Sequence, residues 1–454
     1  MTLNEKMFRE YDIRGVADKD LGNSTVVSLG RAIGTFISRK GGKKITLGRD
    51  CRISSDRIKM ALTEGLLASG IDVIDVGLVP TPLLYFSVIQ LKTEGGIMIT
   101  GSHNPPEHNG FKICAGASTI YGEDIQEIKA LLLAGDFNSG SGTRSEADVV
   151  PAYTEMIIKN IKHPLNLNVV IDSGNGMGGM IAPEIFRKLG CQVTELYSEL
   201  DGTFPNHHPD PTVMENLTAL VAMVKKTGAV VGIGFDGDAD RLGVVDPSGK
   251  PVYGDELLVL YARSILQKHK GATIISEVKA SHRLFNDIAA HGGKPILWKT
   301  GHSLIKAKMK EEGALLAGEM SGHVFFSDRY YGFDDAIYAA ARLFEILSET
   351  KKTTSELLAD LPSSFATPEI RRDCPDEIKF SVVQKALERF KDLGLKVNEI
   401  DGARVEYPDG WGLVRASNTQ AVLVFRFEAT SEKRLNEIQA QVEGTVSVLL
   451  NEVC

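Results

Sequence analysis

The chain has no cysteine pair spaced for metal binding or redox chemistry. Its five cysteines, Cys51, Cys114, Cys191, Cys374 and Cys454, are odd in number and scattered over 454 residues, with no Cys-x-x-Cys. Such thiols do not form a disulfide framework, and reduced side chains in a cytoplasm are expected. An apolar leader is also missing, since Met-Thr-Leu-Asn-Glu-Lys-Met-Phe-Arg-Glu opens the chain. Nothing later approaches a membrane-spanning run, so a soluble cytoplasmic protein without a membrane partner is expected. There is no excess of positive charge either: 51 Lys and Arg against 59 Asp and Glu leave −8. A general nucleic-acid surface is thereby disfavoured, and a phosphorylated substrate would need a locally basic cleft.

What the chain does have is a repeated grammar. Residues 44–48 read as a strand, 57–69 as a helix stopped by Gly70, and 71–76 as a second strand. The pattern returns at 168–172, a helix near 181–189, Gly190 and 191–196. It appears once more at 272–276, a helix near 284–291, Gly292-Gly293 and 295–298. Three β-α-β units, each with glycine at the helix stop, imply three similar doubly wound, mixed-sheet α/β domains. Beyond Pro362 the pattern changes to short antiparallel strands at 405–407, 413–415 and 420–427. The turn Pro408-Asp-Gly-Trp-Gly412 joins the first two, and a helix starts at Ser431. This reads as a C-terminal α+β domain. At ~100 to 200 residues per domain the length accommodates several cores. The expected divisions are 1–147, 148–250, 251–362 and 363–454, arranged around a central cleft.

Chemistry concentrates in a few loops. An apolar strand, Gly96-Ile-Met-Ile-Thr100, runs into Gly101-Ser-His-Asn-Pro-Pro106. Glycine, asparagine and two prolines forbid regular structure there, so Ser102 stands on a rigid loop at a strand end, where α/β proteins often place reactive groups. No Gly-x-Ser-x-Gly elbow surrounds it, which disfavours acyl transfer. Asp236, Asp238 and Asp240 alternate in Gly234-Phe-Asp-Gly-Asp-Ala-Asp-Arg241. In an extended segment their carboxylates would point one way, and like charges so close call for a cation. Arg241 and Pro247 stand where a calcium loop needs glycine and glutamate, so open oxygen ligation of Mg²⁺ is the better match. Gly318-Glu-Met-Ser-Gly-His323 offers groups that hydrogen-bond vicinal hydroxyls. Arg415-Ala-Ser-Asn-Thr419 offers a phosphate cradle by inventory.

Lys112, Lys279 and His302 are further single cations or imidazoles in loops or beside glycine, and Arg14 before Gly15 can contact an anion. The octet Phe8-Arg-Glu-Tyr-Asp-Ile-Arg-Gly15 shows no strand or helix period. Gly174-Asn-Gly-Met-Gly-Gly179, with Glu199 about 20 residues on, matches a dinucleotide fingerprint and sustains a rival, NAD-dependent oxidoreductase reading. A serine, a carboxylate cation site, a hydroxyl-reading loop and a distant anion cradle together fit phosphoryl transfer through serine, which depends on positioning and charge neutralisation. A non-catalytic sugar-phosphate sensor is a third reading.

Together the segments 8–15, 100–105, 236–241, 318–323 and 415–419 resemble, in order, the signature loops of the α-D-phosphohexomutases, most like the bacterial phosphomannomutase/phosphoglucomutase group. One departure is Ala421, where the resemblance leads us to expect proline. The resemblance implies reversible interconversion of mannose and glucose 1- and 6-phosphates, with phosphoglucosamine mutase as the rival within the family. It implies Ser102 as phosphoserine, Mg²⁺ on Asp236, Asp238, Asp240 and the phosphoryl group of Ser102, and hexose 1,6-bisphosphate as intermediate and activator. Glu319 and Ser321 would hold sugar hydroxyls, and His302 the sugar. Arg415, Ser417, Asn418 and Thr419 would grip the non-reacting phosphate. Arg241 and Lys279 would support the transferring phosphate and metal region, with Tyr11 also at the substrate. Arg14, His103, Lys112 and His323 are its candidates for proton transfer and charge stabilisation. A monomer or weak dimer is expected.

Overall fold

A computed structural model of the protein describes residues 3–418 and 420–453. Four sheets follow one another along these described residues. The first has neighbouring strands in the order Ile13–Val16, His108–Ala115, Gly95–Ile99, Lys44–Arg49, Asp72–Leu78 and Arg144–Glu146, with Ser118–Thr119 added beside His108–Ala115. The second runs Pro251–Val252, Leu242–Val245, Val231–Phe235, Asn168–Asp172 and Gln192–Leu196. The third runs Lys294–Trp298, Thr273–Glu277, Leu316–Gly318 and Val324–Phe326. The fourth is antiparallel: Phe365–Ala366, Val422–Ala429, Gly410–Ala416, Ala403–Tyr407 and Lys396–Asn398, with Ile370–Asp373 also paired to Val422–Ala429. Pro251–Val252 belongs to the second sheet, so the division expected at 250 falls inside a hairpin of that sheet.

Each of the three expected β-α-β units is present as two parallel strands joined through a helix: Ser55–Ala68, Gly178–Lys188 and His282–Ala290. These helices begin two or three residues before the expected starts. In the third, the Ser281 hydroxyl caps the helix by accepting from the Arg283 N–H, a polar signal that apolar periodicity does not register. Gly70, Gly190 and Gly292 follow the helices at φ +87, +92 and +79, which only glycine adopts without strain.

The three sheets share one four-strand arrangement. A third parallel strand lies on the far side of the first, and the chain returns beside it as an antiparallel strand: Gly95–Ile99 with His108–Ala115, Val231–Phe235 with Leu242–Val245, and Leu316–Gly318 with Val324–Phe326. In every residue these third strands are buried, as expected for strands covered on both faces. The loops that carry Ser102, the three aspartates and Glu319 to His323 are therefore equivalent, each closing the same hairpin at the end of a buried strand. The octet at the N-terminus departs from expectation. Ile13–Val16 is a strand, with Arg14 opposite Gly110, where a side chain would strike the Ile13 carbonyl. Four residues of edge strand are too few to show a period.

One apolar core runs from Val76 to Leu347 and joins parts of the first three units, whereas the fourth sheet has its own core between the helices Lys379–Asp392 and Glu432–Val453. The helix Ala336–Thr350 lies in the shared core and is capped by Asp335, whose carboxylate accepts from Tyr338 N–H (2.8 Å), Tyr153 Oη (2.8 Å) and Tyr330 Oη (2.5 Å). Burial outweighs these donors and raises the Asp335 carboxyl from 3.8 to about 6. The folded chain thus keeps a proton that the unfolded chain sheds. Stability is full below 3.8 and is lost as pH climbs through about 6. At about 1.4 kcal/mol per pH unit the loss is roughly 3 kcal/mol. Urea unfolding on either side of that window should show it in the native chain. The component should vanish in Asp335→Asn, which retains a capping oxygen.

Candidate active site

Ser102 is buried, with φ +50 and its N–H on Thr100 Oγ1 at 2.8 Å. Its Oγ lies 3.1 Å from Asp236 Oδ2 and 3.3 Å from His103 Nδ1. Arg52 holds the loop in this shape. Its guanidinium donates to four carbonyls: Ser102 (2.7 Å), Asn104 (2.6 Å), Pro105 (2.6 Å) and His108 (3.0 Å). Asp50 stands 3.2 Å from its Nε. Gly101 is required because a Cβ there would sit 2.5 Å from the Arg52 guanidinium carbon.

The three aspartates converge, though not by extended alternation. Residues 236–241 form a tight turn with Ala239 at φ +60, closed by Asp236 Oδ1 accepting from Asp240 N–H (3.1 Å) and Arg241 N–H (3.2 Å). All three carboxylates are fully buried, with ligand oxygens within 4.8 Å of one another. Gly237 faces the Ser102 carbonyl, which a Cβ would approach to 2.4 Å, so this turn and the serine loop touch backbone to backbone. Burial and the carboxylates of Asp238 and Asp240 push the Asp236 carboxyl well up. Asp238 is held low in spite of burial, because Lys112 donates to its Oδ2 (2.7 Å) and Thr81 Oγ1 does so at 2.5 Å. Lys112 also contacts Asp240, and these carboxylates keep its ammonium above the ordinary lysine value against the effect of burial. Asp238 Oδ1 and Asp240 Oδ1 are buried and find no hydrogen-bond donor among the described residues. Converging carboxylates with orphaned oxygens fit a hard divalent cation.

The third hairpin is fastened to the second. Arg241 and His323 pair as a backbone bridge, Leu242 N–H donates to the Gly322 carbonyl (3.2 Å), and Gly322 at φ +91 leaves room for Leu242. Arg241 Nε donates to His323 Nε2 at 2.9 Å, while His323 Nδ1 lies 3.0 Å from Asp334 Oδ2. Because Arg241 donates to it, His323 Nε2 is the accepting nitrogen and the ring N–H is at Nδ1. His302 stacks on it, ring centroids 5.5 Å apart, and is held well below the usual imidazole range by burial and by Lys306. Glu319 is buried and accepts from Gly301 N–H (2.7 Å), and Ser321 is half-buried in the same turn. Tyr11 packs its ring on Gly301, donates to the Thr300 carbonyl (2.7 Å) and accepts from Asn418 Nδ2 (2.6 Å), so it touches both the third and the fourth unit. Arg415 Nε is on Asp401 (3.0 Å), and Ser417 Oγ accepts from Gln420 N–H (3.1 Å). Thr419 lies outside the described residues.

Three comparisons bear on this arrangement. The family models described as "Phosphoglucomutase/phosphomannomutase, alpha/beta/alpha domain I", "domain II" and "domain III" match residues 5–139, 151–249 and 253–365, and the family's C-terminal domain model matches 369–445. The chain belongs to the phosphoglucomutase/phosphomannomutase family. It is 49% identical over 438 residues to a phosphomannomutase/phosphoglucomutase of Pseudomonas putida, covering 96% of this chain and 94% of that one. It is 44% identical over 449 residues to a phosphoglucomutase of Neisseria gonorrhoeae, covering 98% and 97%. A crystal structure of a phosphoglucomutase/phosphomannomutase family protein from Burkholderia thailandensis superposes with a TM-score of 0.93 at 44% identity, over 99% of this chain and 98% of that one.

Within this family member, two expectations need correction. Lys279 is not beside the aspartates. It pairs with Glu369 (2.8 Å), with Glu277 at 3.7 Å, where the third unit meets the fourth sheet. The Gly174 to Gly179 segment is not shaped for a pyrophosphate. Its N–H groups are used internally, Asn175 on Tyr197, Gly176 on Ser173 and Met177 on Gly237, and its glycines admit Gly237, Phe235 and Ser198. The oxidoreductase reading is thus unsupported, and the glycines serve close packing. At Ala421 the expected proline is not needed to shape the loop, since Ser417 N–H bonds the Val422 carbonyl (3.0 Å) and Cys374 N–H bonds the Ala421 carbonyl (2.9 Å).

Several residues of the site have no motif of their own in the sequence: Arg52, Thr81, Glu277, Thr300, Asp334 and Asp401. Glu277 gathers Met320 N–H, Lys279 N–H and Thr300 Oγ1 on one fully buried carboxylate. Asp401 accepts from both Arg415 and Thr300 N–H (2.9 Å), tying the end of the strand Gly410–Ala416 to the third unit. The only signal for any of these was charge at the end of an apolar strand, as in Arg49-Asp-Cys-Arg52 and Ser276-Glu277. Cys51, Cys114 and Cys191 are free thiols, and no described helix is long and apolar enough to cross a membrane.

Proposed function

We propose that this chain is a phosphomannomutase/phosphoglucomutase that interconverts hexose 1-phosphate and hexose 6-phosphate through phosphoserine at Ser102. The observation that carries this reading is Ser102 Oγ, 3.1 Å from the buried aspartate cluster on the adjoining hairpin. Asp236, Asp238, Asp240 and a phosphoryl oxygen on Ser102 would hold Mg²⁺, which when bound neutralises charge on the phosphoryl group. A sugar hydroxyl attacks phosphorus, a new P–O bond forms as the bond to Ser102 Oγ breaks, and the hydroxyl proton passes by way of His103, whose Nδ1 lies 3.3 Å from Ser102 Oγ, to the departing serine oxygen. Burial, Arg241 and Arg14 hold His103 well below the usual imidazole range, which leaves it free to accept. Lys112, Arg14 and Arg241 remain charged and stabilise the moving group. The resulting hexose 1,6-bisphosphate presents its other phosphate, and the reverse transfer restores phosphoserine.

Glu319, Ser321 and His302 would read the sugar, while Arg415, Ser417, Asn418, Thr419, Tyr11 and Lys279 would hold the far phosphate and the ring. Both mannose and glucose phosphates are the expected substrates. Intact mass after incubation with glucose 1,6-bisphosphate should show one added phosphoryl group on the peptide containing Ser102, and an unmodified peptide in an active preparation would sink the proposal. Arg415→Ala should raise KM and lower kcat/KM by the equivalent of about 1.5 to 3 kcal/mol, the worth of hydrogen bonds to a charged group. Steady-state rates with glucose 1-phosphate and mannose 1-phosphate check this.

A further inference from the structure

Lys279 stands on the loop between the strand Thr273–Glu277 and the helix His282–Ala290. The N–H groups of this loop are satisfied within its own unit: Lys279 on Glu277 Oε2 (2.8 Å), Ala280 on the Glu277 carbonyl (2.9 Å) and Ser281 on Asp255 Oδ2 (3.0 Å). Its carbonyls are not. Val278 and Ala280 accept from Arg404 Nη1, the latter at 2.9 Å, and the carbonyl of Lys279 itself accepts from Arg426 Nη1. Three consecutive carbonyls centred on Lys279 are thus held by two buried arginines of the fourth sheet.

Those arginines form one row across that sheet. Arg404 lies opposite Leu413, and Leu413 opposite Arg426. Because side chains alternate along a strand, Trp411, Leu413 and Arg415 share the face on which Arg404 and Arg426 lie. Trp411 and Leu413 pack on Val278, the Arg404 guanidinium lies 3.8 Å from the centre of the Trp411 ring, and Glu428 ties Trp411 Nε1 (2.9 Å) to Ser281 Oγ (2.7 Å). Two residues along the same strand, Arg415 is buried and donates to Asp401. One sheet face therefore supplies the phosphate-gripping cation and also fixes the loop that carries the other.

We propose that Arg404 and Arg426 are positioning residues for Lys279: they set where its ammonium stands relative to Arg415, and so the span across which the two ends of the substrate are held. The proposal rests on the reading of Lys279 and Arg415 as hexose-phosphate ligands. A contact that merely joined two units would not need its donors gathered on the three residues around a binding lysine. The cost falls on function because an unheld carbonyl loses a charge-assisted bond, and the loop can then turn toward water.

The test is a double-mutant cycle. Arg426→Gln in the native background should lower kcat/KM for glucose 1-phosphate about ten-fold, mainly through KM. In a Lys279→Ala background the same change should have almost no effect. Arg426→Lys, which keeps one donor and the charge beside Asp255, should recover most of the loss. Should Arg426→Gln fail to fold, Arg426→Lys serves in its place, with a partial KM effect that again disappears in Lys279→Ala. Equal losses in both backgrounds, or none in the native one, overturn the proposal. A native kcat/KM in Lys279→Ala alone would instead strike the substrate role of Lys279, and the proposal with it.

Discussion

Ser102→Ala is expected to lose hexose-phosphate interconversion by on the order of 10⁴-fold or more, because the proposed mechanism stores the phosphoryl on this hydroxyl between its two transfers. The substitution removes one buried oxygen and keeps the backbone, which is held by Thr100 and Arg52 and not by the hydroxyl. Binding of glucose 1-phosphate should therefore survive, measurable by calorimetry, while the label from ³²P-bisphosphate no longer enters the protein. A variant that retains both turnover and labelling would move the phosphoryl carrier elsewhere.

Arg52→Ala should be the most damaging change away from the reacting atoms. It leaves the carbonyls of Ser102, Asn104, Pro105 and His108 without their donor and Asp50 without its charge partner, all in a buried setting. Removing one member of a buried ion pair costs about 3 to 5 kcal/mol. The loss should appear in urea unfolding as a lower midpoint. Activity should fall further than stability alone explains, because the loop at φ +50 for Ser102 is no longer over-determined. Arg52→Lys should recover the charge beside Asp50 but not four carbonyls, since an ammonium is a point donor and a guanidinium a planar fork. Phosphoserine occupancy after bisphosphate treatment separates the two effects.

Particular residues show how far the sequence could be read. The serine loop, the aspartate turn and the 318–323 loop each combine glycine with reactive side chains next to an apolar strand, and the segment 415–419 groups a guanidinium, two hydroxyls and an amide beside another. That pattern is local, and it was legible. Arg52 was not, because an isolated arginine after a strand has the same local appearance whether it faces solvent or gathers four carbonyls from residues fifty positions away. Asp334 and Asp401 were hidden for the same reason, each being a single carboxylate whose partners, His323 and Lys306 or Arg415 and Thr300, come from other stretches of the chain. Lys279 was visible as a residue but misplaced. Which carboxylates a cation pairs with depends on how the fourth sheet docks.

By itself the sequence determined the family, the three-fold repetition of β-α-β units and the residue types available to the chemistry, since these are written in short-range patterns of apolar period, glycine and charge. Only the tertiary structure decided that the three reactive loops close equivalent hairpins and meet backbone to backbone. The contact of Gly237 with Ser102 and of Gly322 with Leu242 depends on distances between units, and no local pattern encodes a distance across a domain boundary.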